Sequence, residues 1–311
     1  MNARAVRNIA ASVKGRLLNE ARSENRSFNE LLQHYAMERF LFRLAASQHA
    51  RSYILKGALM LRAVGAELSR PTMDIDLLGR ASNDHTSLRK FVEDCAAIDV
   101  ADGMVFDTAS ISLQDIVEDA DYHGVRIRFV ACLGNARIRM QVDIGFGDKV
   151  TPRPRMVDFP QLLDFGVPRL RACPPETAIA EKLQIMVSRE AVNSRMKDFY
   201  DIYLMRQHLD FRGAVLVQAV RATFANRHVD LPVKMPLALS SDFTSVPGKP
   251  EQWNAFARGL HADNVPPLGE IVAKLSAFLL PVLHAASADN PFDRHWPKGG
   301  PWSPETQEET E

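Results

Sequence analysis

Arg70-Pro71-Thr72-Met73-Asp74-Ile75-Asp76-Leu77-Leu78-Gly79 is the stretch from which the rest of this chain is read. Met73, Ile75 and Leu77 alternate with Asp74 and Asp76, so the spacing predicts a strand over 73–78 with both carboxylates on one side. In a chain with 38 acidic residues an acid-x-acid pair arises by chance, and a solvent-facing pair is the plain alternative. The surroundings argue otherwise. Asp74-Ile75-Asp76-Leu77-Leu78 is apolar apart from the acids, so the carboxylates project from a buried strand. An unpartnered carboxylate is costly there, and a metal is its natural partner.

Downstream, Val125, Ile127, Phe129 and Ala131 alternate with Arg126 and Arg128. After the turn signal Gly134-Asn135, Ile138, Met140, Val142 and Ile144 alternate with Arg139, Gln141 and Asp143. This pattern predicts an antiparallel hairpin with one buried face, ending in a loop at Gly145-Phe146-Gly147-Asp148. Asp143 lies on the polar side near its strand's end, where a third carboxylate completes a metal clamp. Transfer of a phosphoryl or nucleotidyl group needs charge neutralisation and in-line geometry more than covalent help. Mg²⁺ (or Mn²⁺) on carboxylate oxygens supplies both. Upstream, Tyr53-Ile54-Leu55 leads into Lys56-Gly57 and an apolar helical run, Ala58 to Val64. A glycine there lets the backbone approach a phosphate closely, although strand-to-helix turns use glycine for other reasons too.

Residues 1–50 read as a helical segment, with a capping-box pattern at Ser27-Phe28-Asn29-Glu30. Arg4, Arg7, Lys14, Arg16 and Arg22 near the start fit a solvated helix face better than an RNA-facing patch. Residues 51–150 form the core that carries the acids. Residues 151–170, with Pro152, Pro154, Pro160 and Pro168, read as an irregular connector, and 151–288 as a helical C-terminal domain. There Pro174-Pro175-Glu176 opens one helix and Asn193-Ser194 precedes another. The Pro-rich, acid-ended tail 289–311 is expected to be disordered. Strand patterns within 51–150 and helical patterns on either side of it make the chain α+β. Equal numbers of basic and acidic residues, 38 each, give no whole-chain argument for nucleic acid. Cys95, Cys132 and Cys173 have no metal-ligand spacing and read as reduced thiols of a cytosolic protein. No unbroken run of apolar residues reaches membrane-spanning length, so no membrane partner is expected and the location is cytoplasmic.

These pieces in this order resemble the AbiEii/AbiGii toxin family of nucleotidyltransferases. The match includes Leu55-Lys56-Gly57-Ala58-Leu59, the Arg70 to Gly79 stretch, Gln141 to Asp148, Glu176 to Leu183 and Asn193 to Ile202. The resemblance implies an α+β fold, a small mixed β-sheet with a DNA polymerase β-like nucleotidyltransferase core flanked by helices and a helical C-terminal domain, with Asp74 and Asp76 binding metal and Asp143 helping to deprotonate the acceptor hydroxyl. It implies that Lys56, Gly57, Lys182, Arg195, Lys197, Asp198 and Asp201 belong to nucleotide binding, Lys182 contacting the triphosphate. It further implies a nucleoside triphosphate substrate, a tRNA 3′ end as acceptor and a cognate antitoxin as partner. Read from spacing alone, Lys182 fits a side chain snorkelling beside the stripe Ile179-Leu183-Met186. Arg195, Lys197, Asp198 and Asp201 fit ion pairs within one helix. Where many relatives carry Gly-Ser or Gly-Gly-Thr, this chain reads Gly57-Ala58-Leu59, without the hydroxyl. Met73 stands where a basic residue is frequent. Two alternatives follow: a small-molecule nucleotidyltransferase of the antibiotic-modifying kind, or a catalytically weakened nucleotide-binding protein.

Overall fold

Leu31, Tyr35, Phe40, Leu41 and Leu44 recur at helical spacing, and all are buried. They lie on α2 (Phe28–Ala46), which follows α1 (Ala3–Ser23). The Ser27 hydroxyl makes no cap hydrogen bond, so the expected capping box is not formed. Instead Glu30 takes an ion pair from Arg26 at 2.6 Å, a charged partner one turn away that outcompetes a neutral amide. The computed structural model describes residues 3–66, 71–117, 123–260, 262 and 264–305. Arg70 lies outside the described residues, as do the side chains of Arg4 and Arg7.

Two compact units divide the chain. The first comprises Met1–Ala63, Thr72–Gly147 and Arg155–Ala172. After α2 come β1 (Tyr53–Leu55), α3 (Gly57–Ala63), β2 (Ile75–Gly79) and α4 (His85–Ala96). Asp84 caps α4, its carboxylate accepting from the Ser87 N–H at 2.8 Å. Then follow β3 (Met104–Val117), β4 (His123–Leu133), β5 (Ala136–Phe146), β6 (Arg155–Asp158) and β7 (Arg169–Ala172). The seven strands make one mixed sheet in the order β3-β4-β5-β2-β1-β7-β6. Its buried face takes Val125, Ile127, Phe129, Ile138, Met140 and Val142, as the alternation predicts. The Phe40 ring of α2 lies 5.3 Å from Phe129 and 5.6 Å from Phe106, and so cements helix to sheet. Truncating such a ring to alanine costs about 3–5 kcal/mol.

The stretch 151–170, expected to be an irregular connector, contributes β6 and β7. β7 pairs in parallel with β1, and β6 closes the edge antiparallel to it. Four-residue strands among prolines are too short for a period to show. A buried ion cluster fastens the loop between them. Arg39 and Arg43 converge on Asp102 at 3.0 and 2.6 Å, and Arg39 also donates to the carbonyls of Phe165 and Gly166. The Glu38 carboxylate accepts from the Leu162 N–H at 2.7 Å. The N-terminal helices and this loop thus belong with the sheet, not to separate segments at residues 50 and 151.

The second unit comprises Val64–Pro71, Asp148–Pro154 and Cys173–Glu311. It holds α5 (Pro175–Arg189), α6 (Met196–His208), β8 (Phe211–Arg212), α7 (Gly213–Asn226), α8 (Lys249–Ala257), α9 (Leu268–Ser287), β9 (Arg294–Trp296) and β10 (Ser303–Pro304). α9 has the length and apolar content of a membrane span, though Glu270 and Lys274 interrupt its run. Half of it is buried within the structure, with Ile271, Leu275, Phe278, Leu279 and Val282 in the core, as in the central helix of a folded domain. The expectation of a disordered tail is corrected for residues 289–305. β9 pairs with β8, and β10 with β9. Trp296 is buried and donates to the Arg206 carbonyl at 2.9 Å, and the Trp302 ring stacks on Phe278 at 5.5 Å. Composition points to disorder because the prolines outweigh three apolar anchors: Trp296 and Trp302, which pack on Phe278, and Phe292, which packs on Trp302.

Candidate active site

In the first unit, β2 and β5 are neighbours and parallel, and their register sets Asp76 directly opposite Asp143. Cross-strand partners share a face of a sheet, so both carboxylates rise from the same side. Asp74, two residues before Asp76, joins them. One carboxylate oxygen from each of the three lies within 4.8 Å of the others, and all three residues are half-buried. Opposite ligands of one octahedral Mg²⁺ stand about 4.1 Å apart, so a small contraction would close the set on an ion. Oxygen-only, anionic ligands suit a hard divalent cation.

Gly57 shows why the chain needs glycine before α3. Its φ is +62°, and a Cβ built there would fall 1.8 Å from Asp76 Oδ2. The close approach that the glycine permits is thus to the Asp76 carboxylate. The Lys56 N–H donates to the Asp76 carbonyl at 2.8 Å, pinning the strand-to-helix turn against β2. The Thr72 hydroxyl donates to Asp74 Oδ1 at 2.9 Å.

Asp143 carries a partner that sequence reasoning did not assign. Arg126 grips it with a fork, Nε to Oδ1 at 2.8 Å and a terminal nitrogen to Oδ2 at 2.6 Å. Gln141 adds a bond to Oδ2 at 3.2 Å. Such a fork fixes the plane of the carboxylate, and with the Gln141 bond on Oδ2 it leaves a free lone pair on Oδ1. The signal for Arg126 is present in the sequence. The two-residue turn Gly134-Asn135 pairs Leu133 with Ala136, and counting back along both strands pairs Arg126 with Asp143.

The other expected residues lie in the second unit. Lys182 on α5 pairs with Asp198 at 2.7 Å and Asp201 at 2.9 Å on α6, and Arg195 pairs with Asp198 at 2.7 Å. Burial alone would discharge the Lys182 ammonium, but the two carboxylates outweigh it and hold the pKa above the ordinary lysine range. Burial likewise opposes charge on Asp198, yet Lys182 and Arg195 bring its pKa down to about 2. Of the pairs considered from spacing, Arg195–Asp198 forms within α6, while Lys182 crosses between helices. Lys197 is exposed. Arg195 and Lys197 line a cavity of about 760 Å³ together with Ser194, Gln252 and Phe256. Cations, an amide and an aromatic ring are the groups that hold a nucleotide.

Among solved structures, the chain is similar to JHP933 from Helicobacter pylori, with 14% identity over 85% of this chain and 95% of that one, at a TM-score of 0.46. It is similar too to an H. pylori chain described as a candidate nucleotidyltransferase, with 14% identity over 85% and 98%, at a TM-score of 0.45. No curated protein matches the sequence. Residues 39–274, well over half of the chain, match the family described as nucleotidyl transferase AbiEii toxin, type IV toxin–antitoxin system, and the chain belongs to that family.

Proposed function

We propose that this nucleotidyltransferase moves a nucleoside monophosphate from a nucleoside triphosphate onto an RNA hydroxyl, the tRNA 3′ end being the acceptor, and that it does so in the cytoplasm as the toxin of a pair with a cognate antitoxin. The observation that carries it is the register of Asp76 on β2 against Asp143 on β5, with Asp74 just before β2 beside them, three carboxylates converging on one point. Mg²⁺ or Mn²⁺ bound there supplies neutralisation of the triphosphate charge. The chain's own residues do the rest. Gly57 leaves the room in which the Asp76 carboxylate stands. The Arg126 fork holds Asp143 in the plane from which it orients the acceptor hydroxyl and takes its proton. The acceptor oxygen then bonds to the α-phosphorus, the α–β phosphoanhydride bond breaks, and pyrophosphate leaves. In the second unit, the bridge from Lys182 to Asp198 and Asp201 sets the start of α6, and Arg195 and Lys197 there are cations suited to a nucleotide's phosphates.

The test is incorporation of labelled nucleotide into RNA with Mg²⁺ or Mn²⁺ present. Asp76→Asn is expected to cut the rate at least ~10²-fold, the scale for loss of one electrostatic group at a reaction centre, and a chelator is expected to abolish it. Unchanged labelling by Asp76→Asn rejects this site. Calorimetric binding of nucleotide without pyrophosphate release would favour a nucleotide-binding protein that has lost turnover, as the missing hydroxyl at Ala58 suggests.

A further inference from the structure

We infer that the solvent-facing side of β4 and β5 is a track for the single-stranded 3′ end of the acceptor RNA, leading to Asp143. The inference rests on the proposal that the acceptor is RNA. The side of the sheet that carries the triad can be read rung by rung from the register. Asp76, Asp143, Arg126 and Gln114 share the first rung. Arg128 and Gln141 share the next, then Val130 and Arg139, then Cys132 and Arg137. Arg128, Arg137 and Arg139 are exposed. Arg128 donates to the neutral Gln114 Oε1 at 3.0 Å, and among the described residues Arg137 and Arg139 form no ion pair.

A solvated sheet face ordinarily mixes both signs of charge. Beyond the first rung, β3, β4 and β5 carry three arginines on this face against a single described acid, Asp107, opposite Val130. The chain as a whole is neutral, so the concentration is local. Guanidinium groups match phosphate geometry and stack on bases, and they would repel a cationic small-molecule acceptor. Successive side chains on one face of a strand stand about 6.8 Å apart, and Arg137 lies about 20 Å from Asp143 along β5. That length suits a few nucleotides of extended strand. Between the arginines, half-buried Val130 and Cys132 and the exposed Val105 form an apolar floor against which bases can lie.

The experiment uses the full chain and a single-stranded RNA oligonucleotide with a free 3′ hydroxyl. Fluorescence anisotropy gives Kd against salt, and nucleotide incorporation gives KM for RNA and for the triphosphate. The double variant Arg137→Gln/Arg139→Gln is expected to weaken RNA binding about 20-fold at ~0.1 M salt and to flatten the slope of log K against log salt by about 1.4, the effect of losing two phosphate contacts on a single strand. KM for RNA rises in step and KM for the triphosphate stays. Arg137→Lys/Arg139→Lys restores most of the affinity, which a merely structural role would not explain. Lys234→Gln/Arg258→Gln, an equal loss of exposed charge elsewhere, leaves RNA binding as in the wild type. RNA that is labelled and bound equally well by the Gln variant overturns the track while leaving the RNA acceptor standing. Labelling of a small hydroxyl compound or of a protein, with no RNA binding by the wild type, overturns both.

Discussion

Gly57 and Asp76 are tied by space. A methyl group at 57 would overlap the Asp76 carboxylate, and the positive φ already disfavours any side chain. Gly57→Ala is expected to cost about 2–4 kcal/mol, the sum of left-handed backbone strain and overpacking, and to abolish nucleotide incorporation. Denaturant unfolding checks the first part and the labelling assay the second. Arg126 acts through Asp143. Arg126→Lys keeps the charge but loses the fork, and activity is expected to fall about 10–100-fold with little change in the unfolding midpoint, the pattern of a partner that positions a ligand. A rate equal to wild type would show that Asp143 needs no such hold. Legibility differs among these residues. The acids show in the strand period. Gly57 shows as a glycine but not for its reason, because the 1.8 Å approach is a distance between segments. Arg126 could have been found by counting back from the turn.

At the scale of elements, buried charge fastens pieces that hydrophobic pattern alone leaves loose. Glu38 on α2 reaches the loop between β6 and β7. Burial raises its pKa from the ordinary 4.5 to about 7, against the opposing pull of the Leu162 N–H and Arg39. The folded state therefore holds the Glu38 proton more tightly than the unfolded chain does. Its contribution to stability is full below about pH 4.5 and is lost as pH rises to about 7, a change on the order of 3 kcal/mol. Glu38→Gln is expected to remove that slope, seen as a flatter difference in melting temperature between pH 5 and 7.5. An unchanged slope would place the titration elsewhere. The cluster on α5 and α6 behaves oppositely. Lys182→Met leaves Asp198 and Asp201 buried without their shared cation, and chemical denaturation is expected to show a loss of about 3–5 kcal/mol. Helices α5 and α6 were legible from their proline and turn signals. The Lys182 bridge between them was not, since a pair sixteen residues apart has no helical period.

For the molecule as a whole, the C-terminal stretch is part of the fold. Ending the chain at Asn290 removes β9, β10 and both tryptophans that cover Phe278. Thermal unfolding is expected to show a clear loss of stability, each tryptophan contributing on the scale of 3–5 kcal/mol when truncated. An unchanged midpoint would mean that residues beyond 290 are dispensable. The sequence by itself determined the α+β class, the hairpin of β4 and β5, the strand that bears Asp76 and follows Asp74, and the polar side on which Asp143 lies. These follow from periods of two and from turn chemistry, which are local. Only the tertiary structure decided that β2 and β5 are neighbours in a register setting Asp76 against Asp143, that Arg126 grips the third acid, that 155–172 adds two strands to the sheet, and that β9 and β10 are anchored through Trp296 and Trp302. Each depends on contacts between residues far apart in the chain, and no local pattern records which distant surface a short strand, a charge or a tryptophan will meet.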